Sequence, residues 1–172
     1  ANLEKEFRLN LRQTFLFSAL AWSMVAMFGS LPFILSPKEF TFSEAFFESM
    51  SGITTTGATI INDLDKSPKS ILLWRAIMQW LGGIGIIVMA ITIFPLLKVG
   101  GMQLFKMEGP DTTEKILPRT IEVATIIIST YLILTFMCAF FYWLFGMSLF
   151  DSISHSMTTI ATGGFSTHND SI

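Results

Sequence analysis

The sequence predicts an all-α membrane protein built from a repeated unit: a spanning helix, a pore loop and a second spanning helix. Three observations predict this fold. Three runs of 22 or 23 residues carry no charged side chain, two shorter apolar runs each end in a turn rich in threonine and glycine, and the two short runs align at an offset of 107 residues (Ser49 with Ser156). The composition agrees, since only 14% of residues are charged, against roughly 25% in soluble domains.

The first and third long runs cover residues 14–35 and 123–145. A helix of 22 residues is roughly 33 Å long, which is enough to cross a hydrocarbon core of ~30 Å. Pro32, near the end of the first run, predicts a kink or a helix exit. The aromatic residues between positions 136 and 145 are expected to face lipid.

The second long run covers residues 76–97 and follows a polar loop over residues 60–70. Trp74 and Trp80 are expected at the membrane interface, where Arg75 can snorkel or pair with an acid. Glycines in a spanning helix allow another helix to approach closely. This run carries three of them: Gly82, Gly83 and Gly85.

The two short runs cover residues 42–53 and 149–160. Twelve residues form only about 18 Å of helix, so each run can enter a membrane but cannot cross it. Such helices are predicted to be re-entrant pore helices. In the first, Ser43 is a candidate N-cap, and Glu44 lies in the first turn, where the helix dipole favours an acid.

The repeat extends beyond the overall order of long run, short run and turn. Identical residues recur at the offset of 107: Ser49 and Ser156, Met50 and Met157, Ile53 and Ile160, Thr55 and Thr162, Gly57 and Gly164. Similar residues recur at three more positions: Glu44 and Asp151, Ser51 and Thr158, Thr59 and Ser166. Duplicated units of this kind are typical of membrane transporters. Because two crossings separate the copies, both are predicted to have the same orientation.

The turns at residues 54–59 and 162–166 are the candidate ion-binding segments. Extended backbone at membrane depth is tolerated where it lines water, and its carbonyl oxygens can replace the hydration shell of a monovalent cation. Glycine permits the backbone angles this requires, and the hydroxyl groups of Thr59 and Ser166 are further candidate ligands. Ten residues form the predicted site: Thr55, Thr56, Gly57, Ala58, Thr59, Thr162, Gly163, Gly164, Phe165 and Ser166. The alternative is that each turn is only a helix C-cap between packed segments.

The loop charges predict the orientation. The residues before the first long run and the loop at 98–119 together carry seven Lys and Arg, whereas the segment between the first two long runs carries four, including Arg75. The positive-inside rule therefore places the N-terminus and the 98–119 loop in the cytoplasm. Both candidate ion-binding segments then lie toward the outside.

Several function classes are excluded by composition and motif content. A net charge of −2 gives no reason to expect a nucleic-acid partner. The single cysteine, Cys138, provides neither a disulfide framework nor a metal cluster. No catalytic triad, nucleotide-binding loop or metal-spaced His/Cys set occurs, so we do not expect an enzyme.

The remaining marked residues have structural interpretations. Glu44, Glu48 and Asp151 are expected to cap helices or to lie solvated at the outer mouth. His155, which aligns with Glu48 in the repeat, is expected to serve polar packing.

Long motifs in the chain resemble the Trk/Ktr/HKT superfamily of potassium transporters, and within it the bacterial TrkH type. The matching segments are FFESMSGITTTGAT (46–59), LWRA (73–76), QWLGGIGI (79–86), VGGMQLF (99–105), PR (118–119) and IATGGFST (160–167). Members of this superfamily have four span–pore loop–span (M1-P-M2) repeats around one pore, and each repeat supplies one strand of a selectivity filter. The family's filter glycine maps onto Gly57 and Gly164, while Gly163 replaces the Thr56 of the first turn.

The resemblance implies a division of the chain and a function. Residues 1–97 are the first repeat, 98–119 a cytoplasmic linker, and 120–172 a second repeat that ends after its filter. The chain is then part of a longer polypeptide and supplies two of four filter strands for channel-like potassium uptake, with no organic cofactor. The resemblance further implies a homodimer in the bacterial inner membrane that binds a cytosolic nucleotide-binding regulatory subunit.

Two other functions fit parts of the sequence. A secondary transporter of another small solute, with helices broken at the membrane midplane, would carry charged groups in its spans and direct helix N-termini at its substrate. A membrane scaffold without transport activity would tolerate loss of both filter glycines.

Overall fold

The computed structural model describes residues 11–97 and 116–170. Within these residues the secondary structure is helical, and no strand is formed. The helices are α1 (Leu11–Gly29), α2 (Leu31–Ile34), α3 (Phe42–Ile53), a 3-10 turn (Leu64–Lys66), α4 (Lys69–Leu97), α5 (Ile116–Leu144) and α6 (Leu149–Ile160). Most of the expected linker, residues 98–115, lies outside the described residues. Its last four residues belong to α5.

Three helical stretches among the described residues are long and apolar enough to cross a membrane: Arg12–Ile34, Lys69–Met89 and Glu122–Leu144. The first is interrupted after Gly29, and the short helix α2 contains Pro32, as expected for a proline near a helix exit. Helix α4 begins seven residues earlier than the predicted span, at Lys69 instead of 76. Trp74 and Arg75 therefore lie on this helix.

The two tryptophans of α4 form hydrogen bonds inside the protein. Trp74 Nε1 donates to the carbonyl oxygen of Gly29 at 2.9 Å, which fixes α4 to the end of α1. Trp80 Nε1 donates to Thr135 Oγ1 at 3.1 Å, which fixes α4 to α5. An indole N–H that is removed from water needs such a partner.

The short helices α3 and α6 begin with similar caps. The N-cap of α3 is Thr41, so the prediction of Ser43 was wrong. Thr41 Oγ1 accepts from Glu44 N at 3.3 Å, and Glu44 Oε2 accepts from Thr41 N at 2.8 Å, which is a reciprocal capping box. At the start of α6, Ser148 Oγ accepts from Asp151 N at 3.2 Å.

Helix α4 lies at the centre of the described part and packs against both short helices. Of the residues in the candidate membrane span of α4, 44% are buried inside the protein, against 17% and 11% for the other two candidate spans. At Gly82 a Cβ atom would overlap the carbonyl of Ile53, the last residue of α3. At Gly83 it would lie 3.1 Å from the Cα of Ala161, the C-cap of α6. The prediction that these glycines permit close approach is confirmed, and α3 and α6 both end against this glycine pair.

The interior changes character along α4. Near its start, apolar side chains form a cluster: Phe33, Ala45, Ile61, Leu64, Ile71 and Leu72. One turn further on, three of the largest fully buried side chains are polar, namely Glu48, Arg75 and Gln79. Burying a polar group costs free energy unless the group has a hydrogen-bond partner. This buried polar region is therefore the place to look for a functional site.

Candidate ion-binding site

The two predicted segments have the same unusual backbone. Thr55 and Gly57 have φ of 56° and 77°, and their counterparts Thr162 and Gly164 have φ of 57° and 75°. The residues between and directly after them have negative φ, so the sign alternates over residues 55–58 and again over 162–165. Glycine at the second positive position was expected. The left-handed threonines were not, because non-glycine residues adopt this region infrequently.

The first two N–H groups of each segment bond back to the preceding helix. The bonds are equivalent in the two repeats: Thr55 N to Gly52 O (2.9 Å), Thr56 N to Ser51 O (3.0 Å), Thr162 N to Thr159 O (2.9 Å) and Gly163 N to Thr158 O (3.0 Å). With the left-handed residue directly after the C-cap residue, these two bonds form a Schellman C-cap at the end of each short helix.

Two of the predicted carbonyl groups are used within the protein. Ala58 O accepts a hydrogen bond from Ser51 Oγ at 2.5 Å, and Ser166 O accepts from Arg75 Nη1 at 3.1 Å. The other eight accept no hydrogen bond from any residue in the described part of the chain. They belong to Thr55, Thr56, Gly57, Thr59, Thr162, Gly163, Gly164 and Phe165.

The two hydroxyl groups proposed as further ion ligands are also used by the protein. Thr59 Oγ1 donates to Glu48 Oε1 at 2.8 Å and accepts from Ile61 N at 3.1 Å. Ser166 Oγ accepts from His168 N at 3.1 Å. Both hydroxyls therefore hold the ends of the segments in place.

A buried ion pair lies behind the first segment. Arg75 Nε donates to Glu48 Oε1 at 2.7 Å, and the side chains are 1% and 0% exposed. The expected pairing of Arg75 with an acid is confirmed, whereas the expectation that Glu48 lies solvated at the mouth was wrong. Glu48 Oε2 also accepts from Ile60 N at 3.1 Å. Because Arg75 reaches the second segment at Ser166, the ion pair connects both segments.

His155 occupies in the second repeat the place that Glu48 has in the first. Its Nε2 lies 3.0 Å from Thr167 Oγ1, and that hydroxyl donates to Asp151 Oδ1 at 2.8 Å. Thr167 directly follows the second segment, as Ile60 follows the first. The imidazole is buried, which agrees with the predicted polar packing role.

The two segments touch at their glycines. A Cβ atom on Gly57 would overlap the carbonyl oxygen of Gly163. The second segment thus runs directly beside the first at this level, and only glycine leaves room for the neighbouring carbonyl. A Cβ atom on Gly164 would meet no other described residue within 4 Å.

The loop after each segment is tied to the other loop. His168 Nδ1 lies 2.6 Å from Asp65 Oδ1, and its Nε2 lies 3.4 Å from Asp151 Oδ1. Asn169 Oδ1 accepts from Leu64 N at 2.8 Å. The hydrogen bond to Asp65 raises the pKa of His168, and the same bond lowers the pKa of Asp65.

We expect this link to depend on pH in a defined direction. It is strongest when His168 is protonated and Asp65 ionised. It weakens as pH rises through the raised pKa of His168, and also as pH falls through the lowered pKa of Asp65. In Asp65→Asn the His168 pKa should fall toward its ordinary value of about 6.5, measured by NMR titration of labelled imidazoles. An unchanged His168 titration would contradict the assignment.

Taken together, the helices and paired segments define a multi-pass helical membrane protein with a duplicated unit. A family described as "TrkH: Cation transport protein" matches residues 2–172. The chain is 48% identical over 174 residues to the Trk system potassium uptake proteins TrkH of Vibrio parahaemolyticus and of Escherichia coli strain K12. It is 39% identical over 168 residues to the Trk system potassium uptake protein TrkG of Escherichia coli strain K12. The chain belongs to the TrkH family of cation transport proteins.

A solved structure agrees with this assignment. The fold matches the crystal structure of the potassium transporter TrkH from Vibrio parahaemolyticus with a TM-score of 0.81 and 44% sequence identity. That match covers 98% of this chain and 33% of the solved chain. The alignments with the two TrkH relatives cover 99% of this chain and 36% of each relative, so the chain spans about a third of their length.

Proposed function

We propose that this chain supplies two of the four filter strands of a potassium-uptake pore. Residues 54–59 and 162–166 are the strands, and α3 and α6 are the re-entrant helices that lead to them. The observation that supports the proposal is that both segments continue past the helix C-cap with a second positive-φ residue, a glycine, and together leave eight carbonyl oxygens without a hydrogen bond from the described residues. Carbonyl oxygens that have no partner within the protein can replace the hydration shell of potassium.

The charge at the helix ends favours a cation. Both segments directly follow the C-terminal ends of α3 and α6, and a helix C-terminus carries partial negative charge. The secondary-transporter alternative requires helix N-termini at the substrate for an anionic solute. It also requires free charges in the spans. Arg75 lies within the span of α4, but it is neutralised by Glu48.

Two strands do not enclose an ion, and the open side of the second strand supports the presence of further strands. Gly57 lies against the carbonyl of Gly163, whereas the equivalent Gly164 faces open space in the described part of the chain. A third strand in the same relation to the second would bring a carbonyl against Gly164. The share of the TrkH relatives that this chain covers, 36%, leaves room for two more repeats.

The remaining features of the proposed assembly are those that the family resemblance implies. Residues 1–97 form the first repeat, residues 98–119 the cytoplasmic linker, and residues 120–172 the second repeat through its filter. The complete protein lies in the bacterial inner membrane as a homodimer with its filter toward the outside. It binds a cytosolic nucleotide-binding regulatory subunit, for which the 98–119 loop is on the appropriate side.

Ion flux into proteoliposomes tests this function. A full-length transporter that carries this sequence should take up labelled potassium or rubidium. Excess unlabelled potassium should reduce this uptake more than the same concentration of sodium does. Glutamate, as an anionic solute, should neither compete nor be taken up. Uptake of glutamate without potassium flux would instead support the secondary transporter, and a complete absence of flux would support a scaffold.

A further inference from the structure

Gln79 is a fully buried side chain of α4 that reaches the second candidate filter strand. It lies one helical turn after Arg75, on the same face of the helix, and none of it is exposed. Its Oε1 accepts a hydrogen bond from Phe165 N at 3.1 Å. Because Phe165 N is a donor, the bond also fixes the orientation of the amide. Gln79 Nε2 has no hydrogen-bond partner among the described residues.

The amide of Gln79 lies against the backbone of Gly163. A Cβ atom on Gly163 would lie only 2.5 Å from Nε2 and 2.6 Å from Oε1 of Gln79. Gly163 has a negative φ, so its conformation does not require glycine. The first strand has Thr56 at the equivalent position. The departure from repeat symmetry is therefore explained by the space that Gln79 occupies.

Arg75 adds two more contacts from the same face of α4. Its guanidinium carbon lies 4.0 Å from the centre of the Phe165 ring, within the range of a cation–π contact. Its Nη1 donates to Ser166 O at 3.1 Å. A helix of the first repeat thus holds the second strand at three of its five residues, namely Gly163, Phe165 and Ser166.

We propose that Gln79 is a positioning residue for the second filter strand, that it acts through the Phe165 amide, and that Gly163 is glycine in order to admit it. This inference rests on the proposed filter function. Gln79 does not contact the ion. It sets the angle of the Phe165 peptide, and the Gly164 and Phe165 carbonyl oxygens that flank this amide move with it. The ion preference of the pore therefore depends on a side chain from the neighbouring repeat.

A double-mutant cycle in a full-length transporter tests the inference. Gly163→Ala pushes the flexible end of Gln79 away, and Gln79→Ala removes it, so both break the same bond to Phe165. Each variant should lower the potassium-over-sodium preference about tenfold. The double variant should have the same preference as the more severe single variant. The coupling between the two substitutions is then also on the order of tenfold. Preference is measured as the uptake ratio of purified protein that elutes as a single species. Multiplicative effects would overturn the proposal.

Two further variants sharpen the test. Gln79→Leu keeps most of the side-chain volume but removes the oxygen that accepts from Phe165 N. It should therefore lower the potassium-over-sodium preference as Gln79→Ala does. An unchanged preference in Gln79→Leu would overturn the proposal. Gly146→Ala is the matched control, because Gly146 meets nothing within 4 Å in the described part of the chain and lies outside both strands. It should change neither the preference of the unmodified protein nor that of Gln79→Ala. If Gly57→Ser also left the ion preference unchanged, the filter assignment itself would be wrong. If Gly57→Ser lowered the preference but the Gln79 and Gly163 substitutions acted independently, the filter assignment would hold and the positioning role of Gln79 would be wrong.

Discussion

Arg75→Met is expected to destabilise the protein by about 3–5 kcal/mol, because it leaves the buried carboxylate of Glu48 without its counter-charge. Glu48 is fully buried, and its Oε1 receives Arg75 Nε at 2.7 Å. Three groups of the filter region depend on the pair. Thr59 Oγ1 and Ile60 N donate to Glu48, and Ser166 O accepts from Arg75. The loss should therefore loosen the outer ends of both strands.

Thermal unfolding of the purified full-length transporter measures this effect. The double variant Glu48→Gln/Arg75→Met should be less destabilised than the sum of the single variants, because a neutral amide costs less to bury than an unpaired carboxylate. The matched control is Lys66→Met, which removes an exposed ion pair with Asp63 and should leave the unfolding temperature nearly unchanged. Equal unfolding temperatures for Arg75→Met and Lys66→Met would show that the buried pair has no special role.

Gly57→Ala is expected to abolish potassium preference, and Gly57→Ser should do the same. Two costs act at this residue. Its φ of 77° is a left-handed conformation that costs an alanine roughly 1–2 kcal/mol. A Cβ atom would also overlap the carbonyl oxygen of Gly163, and such overpacking costs about 1–3 kcal/mol when backbone must move. The atom that must move is itself a proposed ion ligand, so selectivity should be lost even if the protein still folds.

A glycine outside the filter, Gly146, separates the cost of backbone strain from the cost of the overlap. Gly146 has φ of 105° and nothing within 4 Å among the described residues, and it lies in the turn between α5 and α6. Gly146→Ala therefore reports backbone strain outside the filter, and its ion preference should match that of the unmodified protein. The readout is the ratio of potassium to sodium uptake at equal protein amounts. An unchanged ratio in both Gly57→Ala and Gly57→Ser would remove the basis for assigning residues 54–59 to a filter.

The repeated architecture is accessible from sequence because its signals are local. The lengths of uncharged runs separate spanning from short helices, and the structure has α3 and α6 at Phe42–Ile53 and Leu149–Ile160, where short helices were expected. The N-cap error has a local cause as well. Thr41 and Glu44 form the Thr-x-x-Glu pattern of a capping box, and this pattern in the sequence favours Thr41 over Ser43 as the N-cap.

The support behind the strands was not accessible in the same way. Gln79 and Phe165 are 86 residues apart, and Arg75 and Ser166 are 91 apart, so no local period connects them. The sequence carries only a weak signal for these contacts. Arg75 and Gln79 are polar residues four apart that precede the Gly82–Gly83 pair on an otherwise apolar helix, which marks a face requiring buried partners. The identities of those partners depend on how the helices pack.

The Gly82–Gly83 pair fixes the number of residues that α4 can have between Arg75 and Gly83. Ile53 ends α3 against Gly82, while Ala161 caps α6 against Gly83. One inserted residue between Gln79 and Gly82 would rotate this pair by about 100° relative to Arg75 and Gln79. The helix ends and the side chains that hold the strands would then face different directions. An insertion or a deletion between Arg75 and Gly83 is therefore expected to disrupt the filter region.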